Sequence, residues 1–191
     1  EAGIQAGFEA TNDYNGEKQE GFGVMEQTIF KGRRWSASNA YLKPALKQDN
    51  VQLLRAFARR IIFEDNEAVA VEVSQGKRIF QVKANKEIIL AASAINSPKI
   101  LMHSGIGPSS HLKEIGIDVI NNLEGVGQNL IDHPDFILKY ECLKPVSIWP
   151  QTRPFSKLAL GVNWLLTRGG LASSNLFEVV GCIRSESEID Y

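Results

Sequence analysis

The stretch AASAINSPKILMHSGIG, residues 91–107, sets the reading of the whole chain. The apolar run Glu87-Ile88-Ile89-Leu90-Ala91-Ala92 leads into it and predicts a strand over 87–92. Small residues follow. Ser97 is an N-cap candidate, Pro98 stands where a first helical residue goes, and residues 99–104 predict a short helix that Gly105 ends. Proline suits that place because its missing N–H would lack an intrahelical partner anyway, and glycine suits the position after a helix. The segment therefore reads as strand, tight loop and helix start. Such a junction points free backbone N–H groups and a positive dipole end at whatever lies above it, which suits a phosphate. The small residues at 91–94 would let a flat cofactor approach the backbone. A purely structural strand-to-helix turn is the competing reading.

Upstream, the short β-branched runs 60–63, 68–73 and 78–82 are separated by Glu64-Asp65-Asn66-Glu67 and Ser74-Gln75-Gly76-Lys77. These predict hairpin turns in a small antiparallel meander, with 53–54 as a further strand piece. The meander delivers the chain to the strand at 87–92, as an α/β domain with a hairpin insert would. Nearer the start, residues 1–8 read as the end of a helix and residues 11–16 as a turn-rich loop, with 24–30 extended. Ser36 is a candidate cap for a helix through Tyr41. Arg33, Arg34 and Trp35 can hold a phosphate or carboxylate, or simply form a solvated basic edge.

Downstream, Ser109 or Ser110 is expected to cap a helix over 111–115, and residues 117–120 read as a strand. Gly125-Val126-Gly127 lacks the third glycine and the strand-to-helix setting of a dinucleotide fingerprint. His133 can serve as a general base, but no Ser, Asp or Cys partner is spaced for that role, and a structural loop histidine is the stronger reading. His103 and His111 are read the same way. Residues 136–142 predict a strand. Pro145, Pro150 and Pro154 punctuate a loop, Ser156 caps a helix over 157–167, and residues 176–183 form a last strand. Leu158, Val162, Leu165 and Leu166 share one face of that helix.

The 191 residues suffice for one domain with a core, or one domain and part of another. The formal net charge of -1 implies no nucleic acid or other polyanionic partner. No apolar run reaches the ~20 residues that span a bilayer. Cys142 and Cys182 lie far apart and outside metal-ligand spacing. They read as free thiols in a reducing compartment, with a single disulfide left open. Glu178 stands in the otherwise uncharged run Leu176-Phe177-Glu178-Val179-Val180-Gly181-Cys182-Ile183. On the residues alone it is either an edge glutamate facing water or a carboxylate with a partner, because an unpaired buried charge is costly.

Ser93 to Gly107, SAINSPKILMHSGIG, matches at every specified position the second signature of the glucose–methanol–choline oxidoreductases, FAD enzymes that oxidise alcohols. Gly125 to His133, GVGQNLIDH, resembles the segment that follows in the same family. The blocks 19–42, 86–107 and 173–185 are most similar to the choline-oxidising members.

The resemblance implies a mixed α/β fold: part of a Rossmann-like FAD-binding domain with an antiparallel meander over 1–134, and the start of a substrate-binding domain over 135–191. It implies FAD as cofactor, with Ala92 and Ser93 of the small-residue run and Asn96, Ser97 and Pro98 at the helix tip as contacts. It also implies a backbone contact near Ala58 to the adenine end. Glu178 would face the trimethylammonium head of choline. Such a head donates no N–H hydrogen bond, so charge, apolar contact and aromatic faces must hold it, and Trp149, Trp164 and Phe177 are candidate walls. The implied reaction is hydride transfer from the alcohol carbon to flavin, with oxygen or a membrane quinone as acceptor. The implied location is cytoplasmic or at the inner membrane of a bacterium or mitochondrion.

The uncapped beginning and the end of the chain, together with the resemblance, predict an internal piece of a longer enzyme. Neither the G-x-G-x-x-G fingerprint nor a match to the family's C-terminal catalytic histidine occurs in these residues. A dehydrogenase of another alcohol and a non-catalytic remnant or binding module are the alternatives.

Overall fold

The computed structural model describes residues 1–144, 147–184 and 186. Pro145, expected in the loop before the last long helix, lies outside these residues, as do Ser185 and residues 187–191. In chain order the elements begin with α1 (Ala2–Gln5), β1 (Gly21–Val24), β2 (Ile29–Phe30) and β3 (Arg33–Arg34). A π-helical turn, Ser38–Leu42, runs into α2 (Lys43–Ala45). Then come β4 (Phe57–Glu64), β5 (Glu67–Gln75), β6 (Arg78–Lys83), α3 (Ser93–His103), β7 (Ile106–Gly107), α4 (Ser109–Glu114) and β8 (Asn121–Asn122). The chain closes with α5 (Pro154–Thr167) and β9 (Val179–Cys182). The fold is mixed α/β, as expected.

The chain divides into two compact units, Glu1–Val51 with Tyr140–Tyr191, and Gln52–Lys139. In the first unit β1 pairs antiparallel with β9, and β2 with β3. The β2–β3 loop, Lys31-Gly32, has positive φ at both residues, +50° and +65°, the geometry that matches hairpin twist. The Trp164 indole N–H of α5 donates to the Gly32 carbonyl at 2.6 Å. The Arg168 guanidinium lies 4.2 Å from the Trp164 ring centre. Cys142 and Cys182 are free thiols.

In the second unit β4, β5 and β6 form the expected antiparallel meander. The β-branched runs make the strands and the turn formers make the reversals. Asp65 and Asn66 take φ of +48° and +67°, and Gly76 takes +60°. Ile61, Ala70 and Val73 of the sheet and Leu112 of α4 are buried. β4 is an edge strand, and α3 lies beside it. The Ser104 hydroxyl at the end of α3 accepts from the Ile61 N–H at 2.8 Å and donates to the Ile100 carbonyl at 2.5 Å. Gly105 follows α3 with φ +82°, and a Cβ there would meet the Asp118 carbonyl oxygen at 2.6 Å. Only glycine turns this corner without strain. β7 then pairs parallel with β8.

Several expectations need correction. Residues 87–92 and 136–142 are not strands. An alternating or apolar run becomes a strand only where another strand completes its hydrogen bonds, and among the described residues none pairs with either segment. Phe136 is 89% exposed, and Ile137, Leu138 and Tyr140 are exposed with it. Residues 53–54 are likewise outside the sheet, and of 117–120 none is in a strand. Helix α3 starts at Ser93, four residues before the expected cap, which places Pro98 inside it. Pro108 rather than a serine precedes α4, and the first N–H, that of Ser109, is taken by the Asn122 side-chain oxygen at 2.8 Å.

Candidate functional site

The start of α3 is shaped by a local hydrogen bond. Ser97 does not cap the helix as an N-cap. Its hydroxyl sits in the second turn and accepts the Ala92 N–H at 2.9 Å. This bond folds the extended approach back onto the helix, while Ser93 takes φ +71° to make the corner. Pro98 removes one N–H from the helical ladder near its beginning. Gly127 of the glycine-rich loop comes up against this turn, since a Cβ on it would lie 3.3 Å from the Met102 methyl and 3.9 Å from the Pro98 Cβ.

Between α3 and the meander lies a cleft of about 810 Å³. One wall is the β4 edge at residues 56–60 with Glu72 and Ile79, and the other is Ala92 with Asn96, Lys99, Ile100 and His103 of α3. Its size falls within the usual range for small-molecule sites. The alanines at 56, 58 and 92 keep the walls low, so the backbone is within reach of a flat ligand.

Charge in the cleft is ordered around Glu72. The Arg59 Nε donates to one carboxylate oxygen at 3.0 Å and the Arg60 Nη2 to the other at 3.3 Å. The Glu72 side chain is only 16% exposed, against 46% and 53% for the arginines. Burial pushes its carboxyl pKa up, but the hydrogen bonds and charges of Arg59 and Arg60 outweigh that and hold it below the usual carboxylate range. With Lys99, the cleft carries more positive than negative charge.

A family model described as GMC oxidoreductase matches residues 1–135. The chain belongs to the GMC oxidoreductase family. Two similar relatives are the oxygen-dependent choline dehydrogenases of Brucella suis, 54% identical over all of this chain and 35% of that protein, and of Rhizobium etli, 57% identical over 97% and 34%. The chain thus spans about a third of the length of the curated relatives it matches. Among solved structures it is similar to a formate oxidase of Aspergillus oryzae, with TM-score 0.77 and 26% identity over 96% of this chain and 32% of that one. It is also similar to an FAD-dependent oxidoreductase of Chaetomium thermophilum, with TM-score 0.78 and 28% identity over 94% and 33%.

In this GMC oxidoreductase chain, three of the six residues expected to touch the cofactor, Ala58, Ala92 and Asn96, line one cleft. Ser93, Ser97 and Pro98 belong to the same helix but do not line it. Glu178 lies in the other unit. It directly precedes β9, its side chain is exposed, and its carbonyl accepts the Met25 N–H at 3.0 Å. Of its expected aromatic companions, Trp149 and Phe177 are also exposed. Trp164 is occupied by Gly32 and Arg168.

Sequence reasoning missed Lys99, Ile100 and His103 as cleft residues. Their signal was present, because Asn96, Lys99, Ile100 and His103 fall at i, i+3, i+4 and i+7 and so share one helix face. Glu72 and its two arginines gave no comparable signal.

Proposed function

We propose that this chain is part of an FAD-dependent dehydrogenase that oxidises choline to betaine aldehyde, with residues up to 134 contributing to the cofactor domain and 135–191 beginning the substrate domain. The observation that supports the cofactor assignment is the meeting of Ala58, Ala92 and Asn96 at one cleft in a chain of this family. The low alanine walls fit a flat heteroaromatic ring, and Lys99, whose charge no carboxylate of the cleft lining takes up, fits a phosphate joined to it. Bound FAD supplies the acceptor for the hydride that leaves the alcohol carbon. The chain's own residues do the holding. The backbone at Ala58 meets the adenine end, and the start of α3 at Ala92 and Asn96 lines the facing wall. Glu178 attracts the trimethylammonium head of choline by charge alone, since that head has no N–H to donate.

Relatives at 54% and 57% identity named choline dehydrogenase support choline as the substrate, and their oxygen-dependent names support oxygen as the acceptor over a membrane quinone. No helix among the described residues is long and apolar enough to cross a membrane. The test is the full-length protein, purified and assayed with choline. Flavin absorbance, FAD released on denaturation and choline-dependent dye reduction are expected. Absence of flavin, or dye reduction indifferent to choline, overturns the proposal. Comparing turnover with and without oxygen separates the two acceptors.

A further inference from the structure

Arg59 and Arg60 are neighbours on one strand, and neighbours on a regular strand project to opposite faces. Here both reach the same carboxylate. The register explains how. Ala58 pairs with Val73 and Arg60 with Glu72, which leaves Arg59 as the extra residue of a β-bulge. A bulge kinks the strand, interrupts its ladder and re-aims a side chain. This one falls at the cleft wall, next to Ala58. Glu72 sits on the adjoining strand opposite Arg60 and holds the guanidinium of each arginine by one oxygen, at 3.0 and 3.3 Å. With its own side chain mostly covered, Glu72 is the fixed member of the trio.

We propose that Glu72 is a positioning residue for cofactor binding: by clamping both arginines across the bulge, it holds the Ala58 backbone in the conformation that reads the edge of an adenine ring. The inference rests on the reading that the FAD adenine end occupies this cleft. The clamp keeps the arginines on the sheet, so neither can fold over the ring site. It also offsets their charge, so the wall accepts a neutral heteroaromatic edge beside the phosphates.

The adenine end is what distinguishes FAD from FMN, so the two flavins separate a local effect from a general one. Apoprotein of the full-length enzyme is titrated with each, and flavin fluorescence quenching gives both dissociation constants. Glu72→Ala is expected to weaken FAD about tenfold, the equivalent of one charge-assisted hydrogen bond, and to leave FMN unchanged. Glu72→Gln keeps the shape and one acceptor oxygen, so its FAD affinity should fall between wild type and Glu72→Ala. It also serves if the alanine variant does not fold. Equal weakening of FAD and FMN, or unchanged FAD binding in either variant, overturns the positioning role. Wild-type apoprotein that binds neither flavin overturns the cofactor assignment instead.

Discussion

The Ser104 hydroxyl and the Ile61 N–H are joined at 2.8 Å across 43 positions of sequence. The bond ties the end of α3 to the edge strand β4, and so spans the two walls of the cleft. Ser104 is buried. Ser104→Ala therefore leaves the Ile61 N–H unsatisfied and should cost about 1–3 kcal/mol of stability. Urea denaturation of wild type and variant reads this as a lower midpoint. An unchanged midpoint would mean that the edge strand finds another acceptor.

Gly32 governs the first unit in a similar way. A Cβ on it would come within 1.8 Å of the Arg168 carbonyl oxygen, and its φ of +65° already disfavours any other residue. Gly32→Ala should drive the β2–β3 loop from the end of α5 and break the 2.6 Å bond to the Trp164 indole. A change in tryptophan emission is expected, with a stability loss of more than ~1 kcal/mol. Thermal unfolding and emission spectra that match wild type would show that the loop holds without this contact.

Glu72 gives the fold an acid-sensitive element. Its native pKa is lowered, so the unfolded chain takes up the proton at a higher pH than the folded chain does. The stability it adds is complete above the ordinary carboxylate range and disappears as pH falls through the lowered native value. Unfolding midpoints of wild type and Glu72→Gln should differ at neutral pH and converge on acidification. A difference that stays constant down to pH values below the carboxylate range would assign the effect to shape instead of charge.

Glu178 separates the two substrate readings. In the full-length enzyme, Glu178→Ala should raise KM for choline about tenfold, or ~1.4 kcal/mol, and leave KM for a neutral alcohol nearly unchanged. Steady-state kinetics on both alcohols decide it. Equal effects on the two would remove the charged headgroup from consideration.

The meander was legible because its information is local. Val69, Val71 and Val73 favour a pleated strand, and Asp65, Asn66 and Gly76 accept the positive φ that a tight reversal demands. The α5 helix was legible for the same reason, through a stripe of apolar residues, but it starts at Pro154, so Ser156 lies inside it and does not cap it. Residues 87–92 and 136–142 carry equally apolar sequence, yet neither is a strand, since pairing depends on what lies alongside. The start of α3 was misplaced because Ser97 and Pro98 form a valid local cap signal. The hydroxyl went to the Ala92 N–H instead.

By itself, then, the sequence determined the family, through SAINSPKILMHSGIG and the blocks around it, and the elements whose hydrogen bonds close within a few residues. Only the tertiary structure decided which side chains share the cleft. Ala58 and Asn96 meet there because a buried serine joins a strand edge to a helix end. Arg59 and Arg60 meet Glu72 because one unpaired residue bends a strand. Both depend on contacts between distant positions, whose formation is governed by the packing around them rather than by the residues at either end.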